Sequence, residues 1–268
     1  VLISLVRLKK RISQSLYINP AHSGGKVSFQ AVTACITALR DWHSALPAHL
    51  HEDTSYSMAP PPHRRALAVL RLRYWTTLLH ITRPFLLYAV VRAEQLQLMP
   101  PAKAKWYEDL SYSCIRAAQS AVRVLQQMLT HGTLSSLVLF DAGSMQELMQ
   151  ILILAKYRWR GVSYAKEAEA CLSAMRSMPP VGWCEKILPE MEALVEESGV
   201  LEKVVVPSTA PEQRPGQELA LAPGQEPSGS GVPTPAPPST EMQDVGDGGM
   251  AQQACDENCL DQLVDFQL

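Results

Sequence analysis

Nine prolines and four glycines fall between Pro207 and Thr240, where Leu219, Leu221 and Val232 are the only large apolar side chains. Ordering a backbone costs about 1 to 2 kcal/mol per residue, and a segment with so little to bury cannot offset that. Residues 207–240 are therefore expected to form a disordered linker. It divides the chain into a body, residues 1–206, and a tail, residues 241–268.

The body carries the fold. Hydrophobic residues make up 47% of the chain, ample for a buried core. Short alternating β-branched runs are scarce, so an all-α domain is expected in preference to a sandwich or barrel. Phe29, Val32, Ile36, Leu39, His43 and Leu46 recur at spacings of three and four, which predicts one face of a helix capped by Ser28 and ended by Pro47. Pro60, Pro61 and Pro62 mark the stretch 51–63 as a loop. The stretch 64–82 is apolar around most of its circumference and should be central, with Pro84 breaking or kinking it before Phe85. A third long helix is predicted over 105–130, stopped by Gly132. Ser144 and Glu147 have capping-box spacing and would open a buried helix through Leu148, Ile151, Leu152 and Leu154. Helices over 163–178 and 185–198 complete the set. No repeat of fixed period supports a solenoid.

Val1 stands where an initiator Met would, which leads us to expect a piece of a longer protein. The stretch 1–17 places Lys9, Lys10 and Arg11 after its apolar residues, unlike a secretory signal. No apolar run approaches the roughly 18 to 20 residues of a membrane span, so no membrane partner is expected. The cysteines at 35, 114, 171, 184, 255 and 259 are scattered, as free thiols of an intracellular protein would be. Charge is divided unevenly. The tail holds seven Asp or Glu and no Lys or Arg, whereas the body holds 23 Lys or Arg against 16 Asp or Glu.

Catalytic and metal-binding patterns are sparse. Gly24-Gly25 and the glycines at 246–249 lack the spacing of a phosphate loop. Cys255 and Cys259 have no histidine downstream, and His43, His49, His51 and His63 lack a second pair of ligands at helical spacing. The expectation is no enzyme, no cofactor and no metal in this chain. Arg64, Arg65, Arg71 and Arg73, and Arg158 and Arg160 around Trp159, fall short of the dense basic stripe that phosphate binding demands.

Four blocks occur in a particular order: LRDWHSALPAHL at 39–50, LRLRYWTTLLHITRPFLLY at 70–88, SCIRAAQSAV at 113–122 and GWCEKILPEMEALVEESG at 182–199. Over residues 28–202 this resembles the fungal-specific regulatory domain, or middle homology region, of zinc-cluster transcription factors. The residues that carry the resemblance are Leu39, Trp42, Leu46 and Pro47, then His80, Arg83, Pro84, Phe85 and Leu86, then Gly182, Trp183 and Pro189. The resemblance implies an irregular all-helical bundle in a nuclear regulator. It also implies an N-terminal cluster of six cysteines and two zinc ions, followed by a coiled coil. This chain has neither pattern and enters the domain partway, so zinc and DNA contact belong to residues outside it, unless the gene has lost them. Trp42 and Phe85 should be core, Pro84 should fix the helix break, and Arg83 should bond the carbonyls that the break frees.

The tail interleaves Asp256, Glu257, Asp261 and Asp265 with Leu260, Leu263, Val264, Phe266 and Leu268, the composition of an amphipathic activation segment. The expected function is the regulatory and transactivating part of a transcription regulator of RNA polymerase II genes, in a metabolic or secondary-metabolite pathway. Its tail would recruit a coactivator or the transcription machinery, and its bundle would answer to a small-molecule effector. The alternatives are a helical ligand-binding or scaffold protein and an all-α enzyme. For the tail, the alternative is a terminal helix docked on the bundle.

Overall fold

The computed structural model describes residues 1–18, 28–51 and 56–202. The linker 207–240 and the tail 241–268, with Leu260, Leu263, Val264 and Phe266, lie outside them. The described residues form an all-α fold of eight helices with no strand among them. In order these are α1 (Leu2–Ser13), α2 (Phe29–Ser44), α3 (Pro61–Val91), α4 (Ala93–Leu98), α5 (Pro101–Thr130), α6 (Leu139–Arg158), α7 (Ala165–Arg176) and α8 (Trp183–Ser198). A π-helical turn, Gln14–Ile18, extends α1.

Helix α3 is central because it is apolar on nearly every side, from Leu67 and Ala68 through Leu72, Leu79 and Ile81 to Leu86 and Ala89. It packs along α5 over the most extensive interface in the bundle and also meets α1, α2 and α6. Helix α5 presents Cys114, Ala117, Ala118 and Ala121, all fully buried, and these small side chains let the two backbones approach closely. Helix α6 buries Leu148, Met149, Ile151 and Leu152 against α3, α5, α7 and α8.

Three local expectations are corrected. Pro61 and Pro62 do not extend the loop to His63: they occupy the first turn of α3, where a missing N–H costs nothing. Pro101 opens α5 in the same way, four residues before Lys105. Ser144 does not start a helix, because α6 begins at Leu139 and the Ser144 hydroxyl donates to the Phe140 carbonyl at 2.6 Å within it. Other signals fell where expected. Ser28 accepts the Ala31 N–H at 3.1 Å as the cap of α2, and Gly199, at φ 58°, ends α8 in the left-handed conformation.

The largest correction concerns Pro84. It neither ends nor restarts a helix: α3 runs through it for 31 residues without interruption. A proline inside a helix lacks the N–H that would bond the carbonyl four residues earlier, here that of His80. Tyr17, on the π-helical turn, supplies the missing donor, and its hydroxyl reaches the His80 carbonyl at 2.5 Å. Arg83, expected to do this, turns instead toward Glu147 of α6 at 3.5 Å.

Candidate functional site

The repair at Pro84 gathers a set of interacting polar groups from α1, α3 and α6. Residues one and two turns apart on α1 and its extension, Lys9, Ser13 and Tyr17, face α3 along the stripe next to the apolar Leu5, Leu8, Ile12 and Leu16. Ser13 Oγ lies 3.0 Å from His80 Nε2, and the Tyr17 ring packs against the His80 ring with centroids 4.7 Å apart. Arg83, one turn on from His80, holds Glu147. Below them Thr82 donates to the Leu78 carbonyl at 2.8 Å, and the Cys114 thiol of α5 is fully buried.

The electrostatics follow from partial burial. Burial, reinforced by the Lys9 and Arg83 cations, pushes the His80 imidazole down to about 4, so it is neutral at physiological pH. Burial pushes the Tyr17 phenol up to about 12, keeping it a donor for the His80 carbonyl. Glu147 is raised by burial against the opposing pull of Arg83 and Lys9. Lys9 is lowered, first by burial. A neutral imidazole beside a hydroxyl has the parts of a proton-accepting pair. Two surface hollows lie nearby on α1 and α2. One follows Ser4, Arg7, Lys10 and Arg11, and the other, about 10 Å³, lies among Trp42, His43, Leu46, Leu50, Leu70, Arg71 and Tyr74. Ser13 and His80 line neither. The cluster is arranged to join α1, α3 and α6.

The pH dependence of this join is calculable in sign. The unfolded chain protonates His80 below its ordinary 6.5, whereas the folded chain protonates it only near 4. Stability from a neutral His80 is thus complete above pH 6.5 and is lost as pH falls through that window. Glu147, raised in the fold, contributes in the opposite sense. Thermal melts of the wild-type protein should fall between pH 6.5 and about 4, and His80→Gln should flatten that fall. A slope unchanged in His80→Gln would show that the imidazole is not held neutral.

The family-like residues do not converge on one site. Leu39 is buried in α2, while Trp42 is only half-buried: its indole N–H donates to Ser4 Oγ at 2.9 Å and its ring stacks over Tyr74. This corrects the expectation of a core tryptophan. Leu46 lines the small hollow and Pro47 is exposed after the end of α2. His80, Arg83 and Pro84 belong to the cluster, and Phe85 points the other way into the α3–α5 interface. Gly182, Trp183 and Pro189 are at α8. Gly182 precedes the helix with φ 64° and ψ −122°, a conformation that L side chains rarely adopt, and Trp183 is 48% exposed. Pro189 sits exposed within the helix.

Sequence reasoning missed Lys9, Ser13, Tyr17 and Glu147 as members of the cluster. One signal was present: a proline in an apolar helix requires a donor for the fourth residue back. The position of Pro84 fixes which carbonyl is orphaned, but the donor lies 63 residues away.

No group of three or more His, Cys, Asp or Glu among the described residues could hold a metal ion. Cys35, Cys114, Cys171 and Cys184 are buried on four different helices, and burial pushes the thiols of Cys114 and Cys171 up to about 12. These four thiols are dispersed over the bundle and do not form a common ligand set. No described helix is long and apolar enough to cross a membrane. No family model, curated protein or solved structure matches the chain.

Proposed function

We propose that this chain is the regulatory and transactivating portion of a transcription regulator of the fungal zinc-cluster type, acting on RNA polymerase II genes in the nucleus. DNA and zinc contact would reside in residues outside it. The observation that carries the reading is the union of two features: four family-like blocks in order on one helical body, and an acidic, apolar tail beyond a proline-rich linker. Carboxylate repulsion and hydration keep the tail's Leu260, Leu263, Val264 and Phe266 accessible to a coactivator groove, where a transient helix buries them. The body restrains or senses, with a small-molecule effector as the class of signal.

Residues 241–268 fused to an unrelated DNA-binding domain are expected to activate a nuclear reporter. Leu263→Ala with Phe266→Ala should return the reporter to background, since both anchors of the apolar face are gone. A fused tail that activates nothing would leave the helical ligand-binding or scaffold reading as the better account.

A further inference from the structure

Helix α1 presents two unlike faces. Leu5, Leu8 and Ile12 are buried, whereas Ile3 (69% exposed) and Val6 (47% exposed) turn outward in line with Arg7 and Lys10, at helical spacings of three, four and seven. Arg11 and Ser4 flank them, and an open hollow of about 400 Å³ follows Ser4, Arg7, Lys10 and Arg11. Residues 1–40 contain six Lys or Arg and no Asp or Glu. An outward face that carries apolar side chains and only basic charges is the surface that an acidic, apolar helix complements.

The chain contains such a segment. In a helical register Leu260, Leu263 and Val264 share one face, and Asp261 and Asp265 lie one turn apart along its border. We propose that residues 256–268 dock on the outward face of α1, setting Leu260 and Leu263 against Ile3 and Val6 and the carboxylates of Asp261 and Asp265 against Arg7 and Lys10. Reach is no obstacle. The 53 residues 203–255 could reach at most roughly 175 Å, against a radius of gyration of about 17 Å for a body of this length. Tethering supplies an effective concentration on the order of millimolar, so a weak contact suffices. This rests on and deepens the function proposed above, since a tail held on α1 is withheld from a coactivator. Activation segment and docked helix then become two states of one segment.

The test uses the full chain at low concentration with a zero-length carbodiimide, which condenses a lysine amine with a carboxylate, followed by peptide mass spectrometry. Crosslinks should join Lys10 to Asp261 or Asp265 within one chain and fall about tenfold at high salt, where exposed charges are screened. Ile3→Ser with Val6→Ser should weaken them while circular dichroism stays unchanged. Lys10→Glu should abolish them, and adding Asp261→Lys should restore a crosslink between the same two positions. Tail crosslinks spread over Lys103, Lys105 and Lys186, an absence of tail crosslinks, or crosslinks between chains that grow with concentration would each overturn the docking. The reporter separates the two proposals: an active fused tail without the Lys10 crosslink removes docking alone, and an inactive tail with the crosslink removes activation alone.

Discussion

Phe85→Ala is expected to destabilise the body by about 3 to 5 kcal/mol, read as a shift in the denaturant midpoint at unchanged slope. The ring is 4% exposed and wedged between two aromatic residues of α5, with its centroid 5.0 Å from that of Trp106 and 5.4 Å from that of Tyr107, both close to edge-on. Truncation removes these edge-to-face contacts and opens a cavity in the interface that joins the two longest helices, where neither backbone can collapse to fill it. Trp42→Ala should cost clearly less despite removing a larger side chain. Trp42 is half-buried, and water can take over the hydrogen bond that its indole gives to Ser4. Equal losses from the two substitutions would mean that the indole is packed as a core residue after all.

That contrast shows where the sequence was legible. Helix positions follow from apolar spacing, a local property, and α2, α5, α7 and α8 lie close to their expected bounds. The caps at Ser28 and Gly199 are local as well. Expectation failed where a distant partner decided the outcome. Pro84 has the sequence signature of a break, and it is carried inside an intact helix because a phenol from the extension of α1 bonds the orphaned carbonyl. Ser144 and Glu147 satisfy a capping pattern, yet α6 starts a turn earlier and Glu147 is drawn to Arg83. Trp42 has the residue type of a core anchor, but the depth of a side chain depends on which helices cover it, and α1 reaches it with a serine.

A second large effect is expected at a pair that spacing could not reveal. Asp141, in the first turn of α6, is completely buried, and its carboxylate accepts from Arg65 Nη1 at 2.9 Å, Arg65 Nη2 at 3.3 Å and the Ser135 N–H at 3.0 Å. Arg65 also donates to the Thr133 carbonyl, so one guanidinium ties the start of α3 to the turn between α5 and α6. The amide dipoles at the N-terminus of α6 favour the negative charge but do not replace a bidentate cation. Arg65→Met would leave the carboxylate buried without its counter-charge, a loss of roughly 3 kcal/mol once the one-third exposure of Arg65 is allowed for. Asp141→Leu should cost a similar amount, because it strands the guanidinium and the Ser135 N–H together. If the penalty in each single variant arises from the stranded partner, the double variant must cost less than the two losses added, by about 1 kcal/mol or more on the scale of coupled neighbours. Strict additivity in urea titrations of the four proteins would show that Arg65 and Asp141 act independently and that the turn is held by its backbone alone.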